Sequence, residues 1–229
     1  MDTEDVATQA AADVETVEPV RAGGHRADGA RRRVVLVALV AAASVVALVV
    51  AVLGAFSPPQ VPVTYADGGT ALPPWPAPAD PAEGVRAAGL HAAPAEGMVQ
   101  HFHVHLDLLV DGRPVPVPAN IGIDVRQQIY AEIHTHADTG VVHAEADRTD
   151  TAFTLGQLFV EWGVRLDADH LGGLTAEDGK SLRAYVDGRP LAGDPARLRL
   201  VDHQEIVLAY GAEAPSPVPS TFDFVANPT

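Results

Sequence analysis

Six of the ten histidines of this chain fall between Gln100 and Glu145, in two tight groups. The first is HFHVHLDLLV, residues 101–110. Side chains on a β-strand point alternately to opposite faces. His101, His103, His105 and Asp107 therefore share one face, while Phe102, Val104, Leu106, Leu108 and Val110 share the other. The second group is IHTHADTGVVHAE, residues 133–145, in which two short β-branched runs flank Ala137, Asp138, Thr139 and Gly140. That composition favours a hairpin turn. A centred loop of two or four residues sets His134 opposite His143. It places Glu132, His134, His136, His143 and Glu145 on one face and Ile133, Thr135, Val142 and Ala144 on the other.

Imidazoles and carboxylates gathered in this way are ligands for divalent transition metals. Cross-strand partners have Cβ atoms ~4.5–5.5 Å apart and i, i+2 neighbours lie roughly 6.5 Å apart, spacings that two imidazoles can close around one ion. The candidate ligands are His101, His103, His105, His134, His136 and His143. His101 and His105 are about 13 Å apart along an extended strand, so two of the three are expected to bind, with the third supporting them or serving another ion. Asp107, Glu132, Asp138 and Glu145 are candidate acceptors for the imidazole N–H groups. Glu145 could instead be a ligand or a general base and is the leading catalytic candidate, with Glu132 as the other carboxylate that could move protons. Two other readings explain the same residues: a polar ladder of histidines hydrogen-bonded to Asp107 or Glu145, and a proton sensor working near the free-imidazole pKa of ~6.5.

The chain has no cysteine, which excludes disulfides, thiolate zinc sites, iron–sulfur clusters and a cysteine nucleophile. A metal must be held by nitrogen and oxygen, and copper(II) or zinc(II) suits such a set best. Met98 is the lone thioether beyond residue 56, too few for a copper(I) carrier built on methionine. Net charge is −15; residues 1–56 hold 7 acidic and 5 basic groups, leaving 23 acidic and 10 basic for the remainder. That balance argues against nucleic acid as a partner and against charge-driven docking on anionic lipid.

The elements that must position these residues follow from the chain in order. Residues 1–33 are read as a disordered segment ending in the basic stretch RAGGHRADGARRR. Residues 34–56 carry no charge and are long enough for a transmembrane helix; a cleaved signal peptide is the rival reading. Arg21, Arg26, Arg31, Arg32 and Arg33 all precede the apolar run. The positive-inside rule then gives a single-pass plasma-membrane protein with a cytoplasmic N-terminus and an extracytoplasmic C-terminal domain. Residues 57–90, rich in Pro and Ala, are expected to be an extended linker. Trp75 is read there as an incidental packing residue. Residues 91–212 form the expected folded domain: α+β in class, β-rich, small and mainly antiparallel, with one short helix. Within it, residues 113–123, where Val115 and Val117 alternate with Pro, fit an edge strand and residues 124–131 a short helical or irregular link. Thr151 or Thr154 caps a helix whose Leu155, Leu158, Phe159 and Trp162 form one apolar face, with Gly163 as its stop. Strands are expected on both sides of a turn at Asp202, His203 and Gln204, and residues 213–229 form a flexible tail.

His103 to Leu106, His134 to His136 with Thr139, Gly140 and His143 to Glu145, and Phe153 to Gly163 match the pattern HxHL, HTHxxTGxxHxE and FTLGxxFxxWG. In these stretches the chain resembles a family of uncharacterised membrane-anchored or secreted bacterial and archaeal proteins. The resemblance covers about half of the expected domain and implies no activity. Ala137 precedes Asp138 here, so the acidic residue is displaced by one from the family pattern.

The functional expectation is an extracytoplasmic copper- or zinc-binding domain that captures, buffers or delivers metal. One alternative is a His-coordinated metalloenzyme, hydrolytic or oxygen-using. A second is a structural or partner-binding ectodomain.

Overall fold

The computed structural model describes residues 69–97 and 99–226, which lie within one compact unit, Val61–Thr229. The segments read as cytoplasmic and transmembrane, residues 1–56, and Met98 lie outside the described residues. Among the described residues, no helix is long and apolar enough to cross a membrane.

The fold is β-rich and mainly antiparallel, as its alternating sequences require. The longest strand, β2 (Gln100–Val110), is the axis of a seven-stranded sheet. Its first half pairs antiparallel with β7 (Val141–Ala146), whose outer edge carries β6 (Ile133–His134). Its second half pairs antiparallel with β3 (Arg113–Val115), reached through the Asp111-Gly112 turn, and parallel with β12 (Glu205–Gly211). Beyond β12 lie β10 (Ser181–Val186) and β11 (Arg189–Pro190), joined by the second Asp-Gly turn. A three-stranded sheet of β1 (Ala92–Ala93), β5 (Ile129–Ala131) and β4 (Ile123–Asp124) adjoins, and β8 (His170–Leu171) pairs with β9 (Leu174–Thr175).

The apolar face of β2, with Val104, Leu106 and Leu108, is buried against α2 (Leu155–Trp162). Helix α2 starts at a capping box in which Thr154 accepts from the Gln157 N–H, and it ends at Gly163, whose φ of 75° is left-handed. Leu155, Leu158, Phe159 and Trp162 are buried together. The opposite face carries a smaller apolar patch of Tyr185, Val207 and Ala209, covered by Leu109 and by Val218 from the C-terminal segment.

Five expectations are corrected. The linker is not extended throughout: α1 (Pro81–Ala87) forms behind an Asp80 cap, and Trp75, Val85 and Leu90 are core residues. Trp75 meets Trp162 edge to face at 6.1 Å, and α1 packs on α2, so the described residues form two α-helices rather than one. Residues 124–131 are not a helical link, because Ile123 and Asp124 pair with Tyr130 and Ile129 across a turn where Asp124 accepts from the N–H groups of Arg126 and Gln127. Residues 197–201 do not form a strand: Pro195–Arg197 is a 3-10 turn, and only Arg199 makes a bridge, to Thr154. The C-terminal segment, expected to be flexible, lies against the polar face of β2, with Phe222 stacked on His105. The burial of Trp75 and the stacking of Phe222 depend on residues distant in sequence, which local pattern does not carry.

Candidate metal centre

Antiparallel pairing sets the geometry of the histidines. His103 on β2 stands opposite His143 on β7, and His143 stands opposite His134 on β6. Three imidazoles thus form a row across three strands, and the next register pair on the same face is His101 with Glu145. After His134 the chain leaves the β7 edge. The Thr135 hydroxyl donates to the Pro118 carbonyl and accepts from the Ile121 N–H. The connection to β7 is therefore six residues, 135–140, longer than a tight hairpin. That departure turns His136 back toward the row rather than along a strand.

Five imidazoles converge. The Nε2 atoms of His101 and His103 are 3.0 Å apart, and those of His134 and His136 are 3.1 Å apart. His143 lies between the two pairs: its ring centroid is 4.4 Å from that of His103 and 4.6 Å from that of His136, each ring nearly perpendicular to it. Glu145, 1% exposed, directs Oε1 into the group, 3.3 Å from His101 Nε2, 3.6 Å from His143 Nδ1 and 4.0 Å from His134 Nε2. Glu96, from the segment before β2, places Oε1 3.1 Å from His136 Nε2. His134 Nδ1 donates to the Ala131 carbonyl at 2.8 Å, which leaves Nε2 facing the cluster. A backbone acceptor of this kind is what fixes the tautomer of a metal-binding imidazole.

Electrostatics favour the neutral ring at His103, His134 and His136. Burial, then the neighbouring His143 and His101, lower the pKa of His103 to about 4. Burial likewise lowers His134 to about 4, and it lowers His136 with help from His143. Burial raises the Glu145 pKa, but hydrogen bonding to His143 and the charges of His134 and His101 outweigh it and hold the carboxyl below its ordinary range. Unprotonated imidazoles around an ionised carboxylate are the forms that bind metal. Groups of these residues, His101/His103/His143, His134/His136/His143 and Glu96/His134/Glu145, bring donor atoms within 4.8 Å of one another and could hold a metal ion.

His105 stands apart from this cluster. Its Nε2 faces the Thr139 carbonyl at 3.0 Å and its Nδ1 faces Glu205 Oε2 at 2.8 Å, two groups that can only accept from it when Glu205 is ionised. Burial lowers its pKa, but the Glu205 hydrogen bond and charge outweigh burial and raise it. The raised pKa favours the protonated ring, and the donor atoms of His105, Asp107 and Glu205 also lie close enough together to hold an ion. Asp107 belongs to this second group, His105/Asp107/Glu205. Glu132 turns the other way, accepting from the His91 backbone N–H.

Sequence reasoning missed Glu96 and Glu205. Glu205 had a weak signal, an acidic residue opening the apolar strand IVLAYG; Glu96 had none. Against family models, curated proteins and solved structures alike, the chain gives no significant match, so the site is read from its own geometry.

Proposed function

We propose that the chain is a membrane-anchored, extracytoplasmic metal-binding protein that captures, buffers or delivers copper or zinc. The observation that carries this reading is the convergence of His101, His103, His134, His136 and His143 around the buried carboxylate of Glu145. Five nitrogen donors with carboxylate oxygens and no sulfur suit copper(II) and zinc(II). The uncharged run at 34–56 with its arginine-rich N-terminal flank supports the anchor and its orientation. The motif resemblance to extracytoplasmic proteins is in keeping with this placement. Elemental analysis of the full chain purified from membranes tests the reading. About stoichiometric copper or zinc is expected in the native chain, and a marked loss in His103→Ala and His134→Ala; unchanged content in both variants refutes it.

A second reading, a metalloenzyme, is favoured by one feature. A cleft of about 290 Å³ opens beside Glu145 and is lined by His91, Tyr130, Glu132 and Arg148. There Glu145 would move a proton for a molecule held in the cleft. Metal-dependent turnover of a small ester or peptide, lost in Glu145→Gln with the metal retained, would establish this reading over a purely binding role.

A further inference from the structure

The cluster holds more donors than one ion takes. Ligand nitrogens bind zinc or copper at roughly 2.0–2.1 Å, so two nitrogens on one ion are at most about 4.2 Å apart, and in a tetrahedral site roughly 3.4 Å. The two short Nε2 separations, 3.0 Å and 3.1 Å, fit that spacing. The two pairs do not merge into one set, however. Donor atoms lying within 4.8 Å of one another form two triads, His101/His103/His143 and His134/His136/His143, and His143 is common to both.

The His103 and His136 rings stand at similar distances from the His143 ring, 4.4 Å and 4.6 Å. The His103 ring lies at 88° to it and the His136 ring at 87°. An imidazole has two nitrogens flanking one ring carbon, with lone pairs that diverge in the ring plane, and with both deprotonated it can serve two ions at once. The two positions differ chemically. His101 and His103 lie at the rim of the sheet, where β2 no longer pairs with β12, and the carboxylate beside their ring nitrogens is Glu145, whose Oε1 is 3.3 Å from His101 Nε2. The His134/His136 position lies deeper and is flanked by the Glu96 and Glu145 carboxylates.

We infer that the centre is dinuclear: one ion held by His101 and His103, a second by His134 and His136 with carboxylate support, and His143 the ligand shared between them. This rests on the metal-binding reading above and goes beyond it in nuclearity. On binding, His143 gives up its ring proton to solvent, and Glu145, near both pairs, offsets part of the added positive charge.

The test counts copper(II) and, separately, zinc(II) retained by the full chain after gel filtration, and integrates the electron paramagnetic resonance signal of the copper form. Two ions per chain are expected, with a copper signal well below two spins because a shared imidazolate couples the two centres. His101→Ala and His136→Ala remove half-exposed side chains rather than the buried His134 and His143, so the fold is retained. Each variant should hold one ion, as an uncoupled copper of full intensity. One ion in the native chain, two ions counting as two independent spins, or a variant that keeps both or loses both overturns the inference. No ion of either metal in the native chain overturns the metal reading itself.

Discussion

His103 and His143 face each other across β2 and β7, paired in register, with ring centroids 4.4 Å apart and planes at 88°. Opposed residues in an antiparallel pair are the closest side-chain neighbours a sheet offers, so the strand pairing itself brings the first two donors together. Bound metal therefore ties β2 to β7, and through His134 to β6, and it stabilises the native chain. At free metal one hundred-fold above Kd the gain is about 2.7 kcal/mol, or roughly 5–10 °C in melting temperature for a domain of this size. Thermal melts with and without zinc should show this rise in the native chain and in His105→Gln, and no rise in His143→Ala. A rise that depends on His105 instead would relocate the site.

Acid should weaken the metal-free domain. His103 and His134 have folded-state pKa values of about 4, below the ordinary 6.5, so the unfolded chain binds more protons than the folded one between those values. The stability these rings contribute is complete above pH 6.5 and is lost as pH falls toward 4. Urea titrations from pH 7 to pH 4 measure it, and replacing both residues by Gln should flatten the profile.

His105 has the opposite sign. Its raised pKa means that the stability gained from the Glu205 pair is present below pH 6.5 while Glu205, whose own pKa burial raises, stays ionised, and it fades as pH rises through the folded His105 value. Glu205→Gln removes the carboxylate, so the His105 pKa should fall, which imidazole NMR titration reads directly. An unchanged pKa would mean that Glu205 does not hold the proton on His105.

Gly140 should not tolerate a side chain. Its φ is +82°, and a Cβ there would come 2.7 Å from the Leu106 carbonyl and 2.9 Å from His105 Nε2. Gly140→Ala combines left-handed strain of about 1 kcal/mol with these clashes. A destabilisation above about 2 kcal/mol is expected in chemical denaturation.

The folded domain begins before residue 91. Trp75 is 3% exposed against Trp162, and its Nε1 donates to the Ala71 carbonyl. Trp75→Ala should cost about 3–5 kcal/mol. A chain starting at residue 91 should lose comparable stability, whereas wild-type stability in that truncation would show that the segment is dispensable.

What the sequence determined by itself is what period-two alternation and local turn chemistry control. The His101/His103/His105 face, the register of His134 against His143, the Thr154-capped helix and both Asp-Gly turns are each decided within a dozen residues. Tertiary structure decided the rest. Parallel pairing of β12 with β2 brings Glu205 to His105 across one hundred residues and withdraws that ring from the other five. The Thr135 hydrogen bonds to Pro118 and Ile121 turn His136 inward. Glu96, Trp75 and Phe222 arrive from segments without periodicity. Alternation says which face a side chain takes, but which strands lie beside it is set by burial of the whole apolar surface, a property of no single stretch.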